Sequence, residues 1–310
     1  PTMTTRLSAA AALALFLPLF SAAQPSARPP LSVAGLAATF AGEEGLARVT
    51  VFLGIPGAEL VTPAALERPA RSGADGAKPD SGRQLRVVAE VRLEDASGST
   101  ADRFEVEAEV DLSREGERLA ASSLKMYGDL LTVPGAHRLI LEVRSGELRG
   151  SRDFPLDVPE TPEGASRLLP PIFIDDIGEA LVFYEGTGSE PPADYPFRVD
   201  DGFETFVPEI VPEITRDMPR SRVALLGYHL TGPQMLVDTG LIAADGRLLG
   251  KERLQLVGRS DTAPDGLDRL YFGLDTQGLD PGDYQLNVSL HNFSSGSTEQ
   301  TAMPFTQLDR

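Results

Sequence analysis

The sequence has no cysteine and no tryptophan, and it has only 3 histidines in 310 residues. The absence of cysteine excludes disulfide bonds, zinc–thiolate sites, iron–sulfur clusters and cysteine nucleophiles. The absence of tryptophan, together with only 6 tyrosines, leaves little material for the exposed aromatic surfaces on which sugars stack. The chain must therefore be stabilised by packing of its apolar residues, which make up 41% of the sequence.

Positive charge is also scarce, because 28 Lys and Arg stand against 46 Asp and Glu, for a formal net charge of −18. Phosphate groups repel such a chain, so the composition predicts that it binds neither nucleic acid nor an anionic membrane surface. We interpret the carboxylates as a solvated surface. The alternative is that they bind a cation-rich partner.

The N-terminal region has the pattern of a secretion signal. Arg6 precedes an uncharged apolar segment, and Ser21 and Ala23 place small residues before Gln24, as signal peptidase requires. The sequence predicts a signal peptide over 1–23, an extracytoplasmic protein (periplasmic or secreted), and no membrane span after cleavage. Retention of the segment as a membrane anchor is the alternative.

The 30 Gly and 25 Pro and the short runs of β-branched residues predict an all-β protein, because Gly and Pro break helices and serve turns. The segment from Phe104 to Asp111 alternates apolar and acidic residues, which predicts a strand whose glutamates face solvent. No segment after the signal peptide shows convincing helical periodicity. Other strands are predicted within 46–56, 85–98, 180–186, 195–210, 222–230, 241–250 and 267–275.

One pattern occurs twice, as VPGAHRLILEV and as DPGDYQLNVSL. The two copies align without gaps, so that three residues of one copy match three of the other: Pro134, Gly135 and His137 match Pro281, Gly282 and Tyr284. Each copy ends in an alternating strand. The repeat predicts two similar domains, each with several short strands separated by turns, as in a β-sandwich.

The second copy resembles the tyrosine corner of fibronectin type III and other immunoglobulin-like domains. The resemblance implies that the phenol of Tyr284 bonds back to the chain at a corner between two sheets. The first copy departs from the pattern at His137, although an imidazole can also donate to a backbone carbonyl. We therefore expect two tandem immunoglobulin-like antiparallel β-sandwiches.

A Pro-rich stretch follows the first copy of the repeat, and no sheet can continue through it. The sequence predicts five segments: signal peptide 1–23, Pro-containing leader 24–44, β-sandwich domain 45–159, linker 160–166 and β-sandwich domain 167–310. The segment 68–83 is rich in Gly, Pro and charge and is predicted to be a mobile loop.

The secretion signal and the paired sandwiches are also similar to the β-sandwich regions of secreted bacterial proteins that carry a GWxTD domain, although no GWxTD string is present. That resemblance implies a bacterial extracytoplasmic protein without catalytic residues.

The sequence contains no convincing catalytic constellation. The histidines at 137, 229 and 291 are not spaced for a shared metal, and there is no G-x-S-x-G elbow for a serine hydrolase. Acidic residues that a glycosidase could use, namely Asp175, Asp176, Glu179, Asp200 and Asp201, are interpreted as turn residues.

Calcium is the one cofactor that the sequence suggests, because Asp261, Asp265 and Asp268 share a loop and offer the hard oxygen ligands that this ion prefers. Their spacing is not that of an EF-hand, and a turn held by Asp and Gly is the simpler interpretation.

These observations predict a non-catalytic binding or scaffolding protein of two β-sandwich modules, whose partner is an unidentified protein or envelope component. The alternative is an accessory β-sandwich component of an extracytoplasmic hydrolase, including a carbohydrate-directed one.

Overall fold

A computed structural model describes residues 30–42, 45–61, 84–160, 166–175, 180–199, 204–215, 220–230, 234–250, 253–260 and 267–309. The predicted signal peptide and the predicted loop 68–83 lie outside these residues. The protein is all-β, and its described residues include two short helices, α1 (Gly57–Leu60) and α2 (Leu112–Ala121). In the part of the chain that is described, neither helix is long and apolar enough to cross a membrane.

Two four-stranded sheets are built mainly from the first half of the chain. Their strands are β1 (Ala34–Ala41), β2 (Ala47–Pro56), β3 (Gln84–Asp95), β4 (Thr100–Asp111), β5 (Ser123–Thr132), β6 (Gly135–Ser145), β7 (Leu148–Val158) and β10 (Leu181–Tyr184). Sheet I has the order β1-β2-β5-β10, and sheet II has the order β4-β3-β6-β7. All of these pairings are antiparallel except β5 with β10, which is parallel.

Two further sheets come from the second half of the chain. Their strands are β8 (Arg167–Leu168), β9 (Ile172–Asp175), β13 (Val207–Pro208), β14 (Glu213–Thr215), β15 (Arg220–Tyr228), β16 (Met235–Ala243), β17 (Leu248–Leu249), β18 (Leu254–Ser260), β19 (Leu267–Asp275), β20 (Gly282–Asn292) and β21 (Ser297–Leu308). Sheet III has the order β13-β9-β15-β19-β18, with β8 also paired to β15, and sheet IV has the order β14-β21-β20-β16-β17. The strands β11 (Arg198–Val199) and β12 (Glu204–Thr205) form a separate ribbon.

Three apolar clusters hold these sheets together. An aliphatic core lies between sheets I and II, with Val51, Leu53 and Val91 fully buried in it. A second core, which includes Leu225 and Leu286, lies between sheets III and IV. The third cluster lies between sheets I and III and is rich in aromatic rings. The four sheets therefore stack in the order II, I, III, IV.

The strand predicted from alternation at 104–111 is confirmed by β4. Its apolar side chains are buried and Glu105, Glu107 and Glu109 are exposed, as expected for a sheet with one solvated face. On that face Arg86 pairs with Glu107, and Arg144 pairs with Glu105 at 3.1 Å. The glutamate row is thus part of an exposed ladder of ion pairs.

The expectation of no helix after the signal peptide is wrong for α2. Asp111 caps this helix, because its carboxylate accepts a hydrogen bond from the Ser113 N–H at 2.9 Å. The helix buries Leu119 completely but is only 10 residues long and contains Gly116, so its apolar periodicity is too brief to stand out in the sequence.

Candidate functional site

Tyr284, in the second copy of the repeat, lies at the start of β20. Its hydroxyl donates a hydrogen bond to the carbonyl oxygen of Asp280 at 2.7 Å, and its ring stacks on Phe305 with the centroids 5.5 Å apart. The ring is half-buried rather than enclosed. Gly282, two residues earlier, has a φ of 149°, a backbone conformation that favours glycine.

His137, in the first copy, makes the equivalent bond. Its Nε2 lies 2.9 Å from the carbonyl oxygen of Val133, which is four residues earlier, as Asp280 is before Tyr284. Because a carbonyl only accepts, Nε2 donates this bond, and the other ring nitrogen is Nδ1. Within the described residues that buried Nδ1 has no hydrogen-bond partner. Gly135 has a φ of 143°, close to that of Gly282.

The predicted calcium loop falls mostly outside the described residues, since only Asp268 of its three carboxylates is described. Asp268 is buried, and its Oδ2 accepts a hydrogen bond from the Leu230 N–H at 2.6 Å. In the described ranges no three His, Asp or Glu residues are grouped to hold a metal ion. Calcium binding at Asp261 and Asp265 remains a prediction.

Asp175 is the one described member of the acidic residues considered for glycosidase chemistry; Asp176, Glu179, Asp200 and Asp201 lie outside the described residues. Its Oδ2 lies 2.5 Å from the Nζ of Lys125. Asp175 is on β9 in the second half of the chain and Lys125 is on β5 in the first half. This ion pair joins sheet III to sheet I.

Lys125 is the centre of a buried polar cluster, because only 2% of its side chain is exposed. Besides Asp175, its ammonium contacts the carbonyl oxygen of Pro208 at 3.0 Å and Glu209 Oε2 at 3.3 Å. An ammonium has three N–H donors, so all three have an acceptor. A lysine without these acceptors would not be stable at this position.

Burial raises the pKa of Glu209, and the charge of Lys125 offsets this only in part. Asp175 lies closer to the ammonium than Glu209 and is more enclosed. The cluster holds the two halves together through one lysine rather than through independent ion pairs.

Between sheets I and III lies the aromatic layer, defined as Phe40, Phe52, Tyr127, Tyr184, Tyr195, Phe197, Phe206 and Tyr271. Tyr195 contacts four of the other rings, with centroid distances from 5.1 to 6.2 Å. Its hydroxyl donates to the carbonyl oxygen of Phe206 at 2.9 Å, so the buried phenol is satisfied. Burial raises the pKa of Tyr195 well above its ordinary value.

A second polar cluster borders the aromatic layer on sheet I. The Nη2 of Arg48 lies 2.6 Å from Asp129 Oδ2, and its Nη1 lies 3.0 Å from Asp194 Oδ2. Tyr127 and Thr50 also donate to the Asp129 carboxylate, at 2.6 and 2.5 Å. Burial and the negative charge of Asp129 both raise the pKa of Tyr127, which keeps the phenol protonated. This network positions the loop that contains Asp194 against sheet I.

A groove opens beside these clusters at the edge of sheet I, with a volume of about 550 Å³. One wall is β10 together with Ala180, and the facing wall consists of the end of β4 and α2. The second half of the chain closes the groove through Asp175, Thr205 and Val207, and Ser189 and Pro191 lie at its rim. Both halves of the chain are needed to form it.

The charged residues of the groove are mostly acidic. Glu109, Asp111, Glu115 and Asp175 line it, with Arg118 as the one basic side chain among the described lining residues. Arg118 is engaged, because it lies 3.3 Å from Glu115 Oε2 and donates to the carbonyl oxygen of Ala180 at 3.0 Å. Asp175 and Glu115 are each ion-paired, and the lining is acidic on balance because four carboxylates stand against one guanidinium.

Sequence reasoning missed this site, since its residues are far apart in the chain. Lys125 and Asp175 are 50 positions apart, and Lys125 and Glu209 are 84 apart. One local signal was present: Lys125 interrupts an apolar run between Leu124 and Met126, where a charged residue needs a buried partner.

No family model matches this sequence, and no curated protein is significantly similar to it. The similar solved structures include a family 123 glycoside hydrolase from Clostridium perfringens, described in connection with glycolipid glycan hydrolysis, at 11% identity and a TM-score of 0.22. That match covers 29% of this chain and 21% of the hydrolase, so the chain spans about a fifth of that protein.

Two other solved structures are equally distant. The structure titled BspA_C_mut is 8% identical with a TM-score of 0.23, and the match covers 88% of this chain and 98% of that one. An endo-fucoidan hydrolase from glycoside hydrolase family 107 is 9% identical with a TM-score of 0.21, over 60% of this chain and 21% of its own. TM-scores this low carry no argument about function.

Proposed function

We propose that this chain is a non-catalytic binding or scaffolding protein of the extracytoplasmic space, built from two immunoglobulin-like β-sandwiches joined face to face, and that the groove between them receives a partner protein. In this proposal sheets I and II are the first sandwich, sheets III and IV are the second, and Tyr284 and His137 are their corner residues. The resemblance to the β-sandwich regions of GWxTD-domain proteins belongs to the same proposal.

The aromatic layer is the observation that carries the proposal. Eight rings and the Lys125 cluster fix the two halves against each other, so the groove has walls from both halves in one fixed geometry. A preformed groove suits binding, since little conformational entropy is lost when a partner enters it. Arg118, the one basic side chain among the described lining residues, is engaged in structural bonds.

The alternative of a carbohydrate-directed accessory module gains no support from the aromatic residues. All 6 tyrosines of the chain lie within the described residues, and every one is buried or half-buried. Phe293, at 67% exposure, is the one aromatic ring among the exposed large apolar residues of the described ranges. A single phenylalanine does not form the stacking surface that a sugar chain requires.

Site-specific photo-crosslinking in cells that produce the protein tests this function. A photoreactive amino acid is placed at Ser189, on the rim of the groove, and in a matched control at Gln285, an exposed position on β20. We expect one discrete protein adduct from position 189 and none from position 285. Adducts of equal yield from both positions, or none from position 189, would contradict a binding role for the groove.

A further inference from the structure

The strand β10 forms one wall of the groove and is the edge strand of sheet I. One side of it pairs in parallel with β5, from Leu181 with Leu124 to Tyr184 with Tyr127. Its other side is the open edge of the sheet, and its residues line the groove. Three apolar residues of this short strand, Leu181, Val182 and Phe183, are only half-buried.

The direction of the backbone groups of β10 follows from two hydrogen bonds. The Glu185 N–H donates to the carbonyl oxygen of Tyr127 on β5 at 2.9 Å, so the odd-numbered residues direct their backbone groups toward β5. The N–H of Tyr184 donates to the carbonyl oxygen of Gly188 on the other side, at 2.6 Å. Because neighbouring residues of a strand alternate, the N–H and C=O of Val182 point away from β5, on the open edge of a strand whose residues line the groove.

Both ends of this outward edge are already occupied. Tyr184 exchanges backbone hydrogen bonds with Gly188, and the Ala180 carbonyl accepts from Arg118 at 3.0 Å. Between them, the outward N–H and C=O of Val182 have no partner among the residues that the structure describes. One donor and one acceptor in this arrangement match the backbone of an extended peptide.

The charge of the groove restricts the side chains of such a peptide. Glu109 is exposed on the last part of β4, and Asp111 and Glu115 lie beside it near the start of α2. A lysine or arginine next to the bound backbone would be attracted by these carboxylates, and an acidic residue would be repelled. The half-buried apolar residues of β10 suit an apolar residue at the alternate position.

We propose that β10 is a strand-addition site for an extended, basic segment of a partner protein, which bonds to the Val182 backbone and places positive side chains along the acidic lining of the groove. This inference rests on the proposed function and specifies the chemical class of its partner. In this mode of recognition, main-chain hydrogen bonds hold the peptide, and the carboxylates of the groove favour basic over acidic side chains.

Fluorescence anisotropy with the full chain and short labelled peptides tests the inference. The probe alternates lysine and valine, and its two controls replace every lysine by glutamate or methylate the one backbone nitrogen placed to bond to Val182. We expect binding of the probe that weakens with added salt, no binding of the acidic peptide, and a loss of about tenfold on methylation, as for one lost hydrogen bond.

Protein variants test whether the peptide binds at this edge. Glu109→Lys should weaken binding of the probe, whereas Glu105→Lys, an exposed glutamate on the same face of β4 outside the groove, should not. Val182→Pro removes the N–H that faces the groove and should reduce binding about tenfold, because one hydrogen bond is lost. If Val182→Pro does not fold, the methylated peptide and the Glu109→Lys pair still decide the question.

Each result then has a definite meaning. Equal binding of the basic and acidic peptides, no effect of methylation, or equal effects of the two charge reversals would overturn the inference. Failure of the basic probe to bind, in a protein that still gives a specific adduct from Ser189, would overturn strand addition and leave the proposed function standing. Absence of both signals would reject both.

Discussion

Sheets I and II lie against the same aliphatic core, yet their other faces differ completely. On sheet II, β4 and β6 alternate buried and exposed residues, and the exposed face carries the Arg–Glu ladder. On sheet I, β2 and β5 are buried almost throughout, because the aromatic layer and the Lys125 cluster cover the second face. In a strand covered on both sides the side chains of both faces are buried. Continuous burial along β2 and β5, in place of alternating burial, therefore marks the face where the two halves meet.

The largest effect should come from Lys125. Its replacement by methionine leaves the half-buried Asp175 and Glu209 without their buried cation, which costs about 3 kcal/mol of unfolding free energy. Arg144→Met, on the exposed ladder of sheet II, should cost at most about 1 kcal/mol. Urea unfolding of both variants measures this difference, and equal costs would mean that the two faces are not distinct energetically.

Gly54 tests the closeness of the two halves. It lies on β2, and a Cβ at this position would be 2.9 Å from Ile210 Cδ1, so Gly54→Val should destabilise the protein by about 1 to 3 kcal/mol through overpacking. The matched control is Gly240→Val on β16, where the nearest atom belongs to the exposed Leu248 side chain. Thermal unfolding should show a lower midpoint for the first variant alone; a similar fall in both would indicate a general effect of valine.

The two tyrosine hydroxyls provide a finer comparison. Tyr195→Phe leaves a buried carbonyl of Phe206 without its donor and should cost about 1 to 3 kcal/mol. Tyr284→Phe should cost less, about 0.5 to 1.5 kcal/mol, since water reaches the exposed Asp280 carbonyl. Denaturant unfolding gives both values, and the reverse order would show that the corner matters more than the aromatic layer.

The smallest effect concerns pH. Burial raises the folded-state pKa of Glu209 above its ordinary value of 4.5, so the folded protein holds this proton more tightly than the unfolded chain does. Its contribution to stability is therefore present below pH 4.5 and is lost as the pH rises through the folded pKa. Relative to Glu209→Gln, the wild type should become less stable over that range. A constant difference across a pH series of unfolding curves would refute this.

The sequence was informative where a sheet meets solvent or a turn is tight. Alternation located β4, and Asp245-Gly246 marked the hairpin between β16 and β17, where Gly246 has a φ of 83°. The segment 195–210 was predicted as strand, and in its described parts, 195–199 and 204–210, it forms the short strands β11, β12 and β13. Tyr195, Phe197 and Phe206 instead fill the layer between sheets, a role that local patterns do not show.

The pairing of β10 with β5 could not be predicted from sequence patterns either. The parallel partner of Leu181–Tyr184 lies more than fifty residues earlier, so no local period marks it. The position of β10 after the predicted linker 160–166 suggested membership of the second half alone. The groove, whose wall is β10, could not be anticipated for the same reason. The sequence of β2 alternates, with Arg48 and Thr50 next to Val49 and Val51, so it gave no sign that both faces of this strand are buried.

The pairing of β10 with β5 sets an order of events while the ribosome makes the chain. Until Tyr184 has emerged, β5 has an open edge and Phe52 and Tyr127 have no cover, and at 5 to 20 residues per second this lasts on the order of several seconds. Open strand edges and exposed aromatic rings are the features through which nascent copies aggregate. A chain ended near residue 160 would keep both features permanently, so the first half depends on the second for protection from self-association.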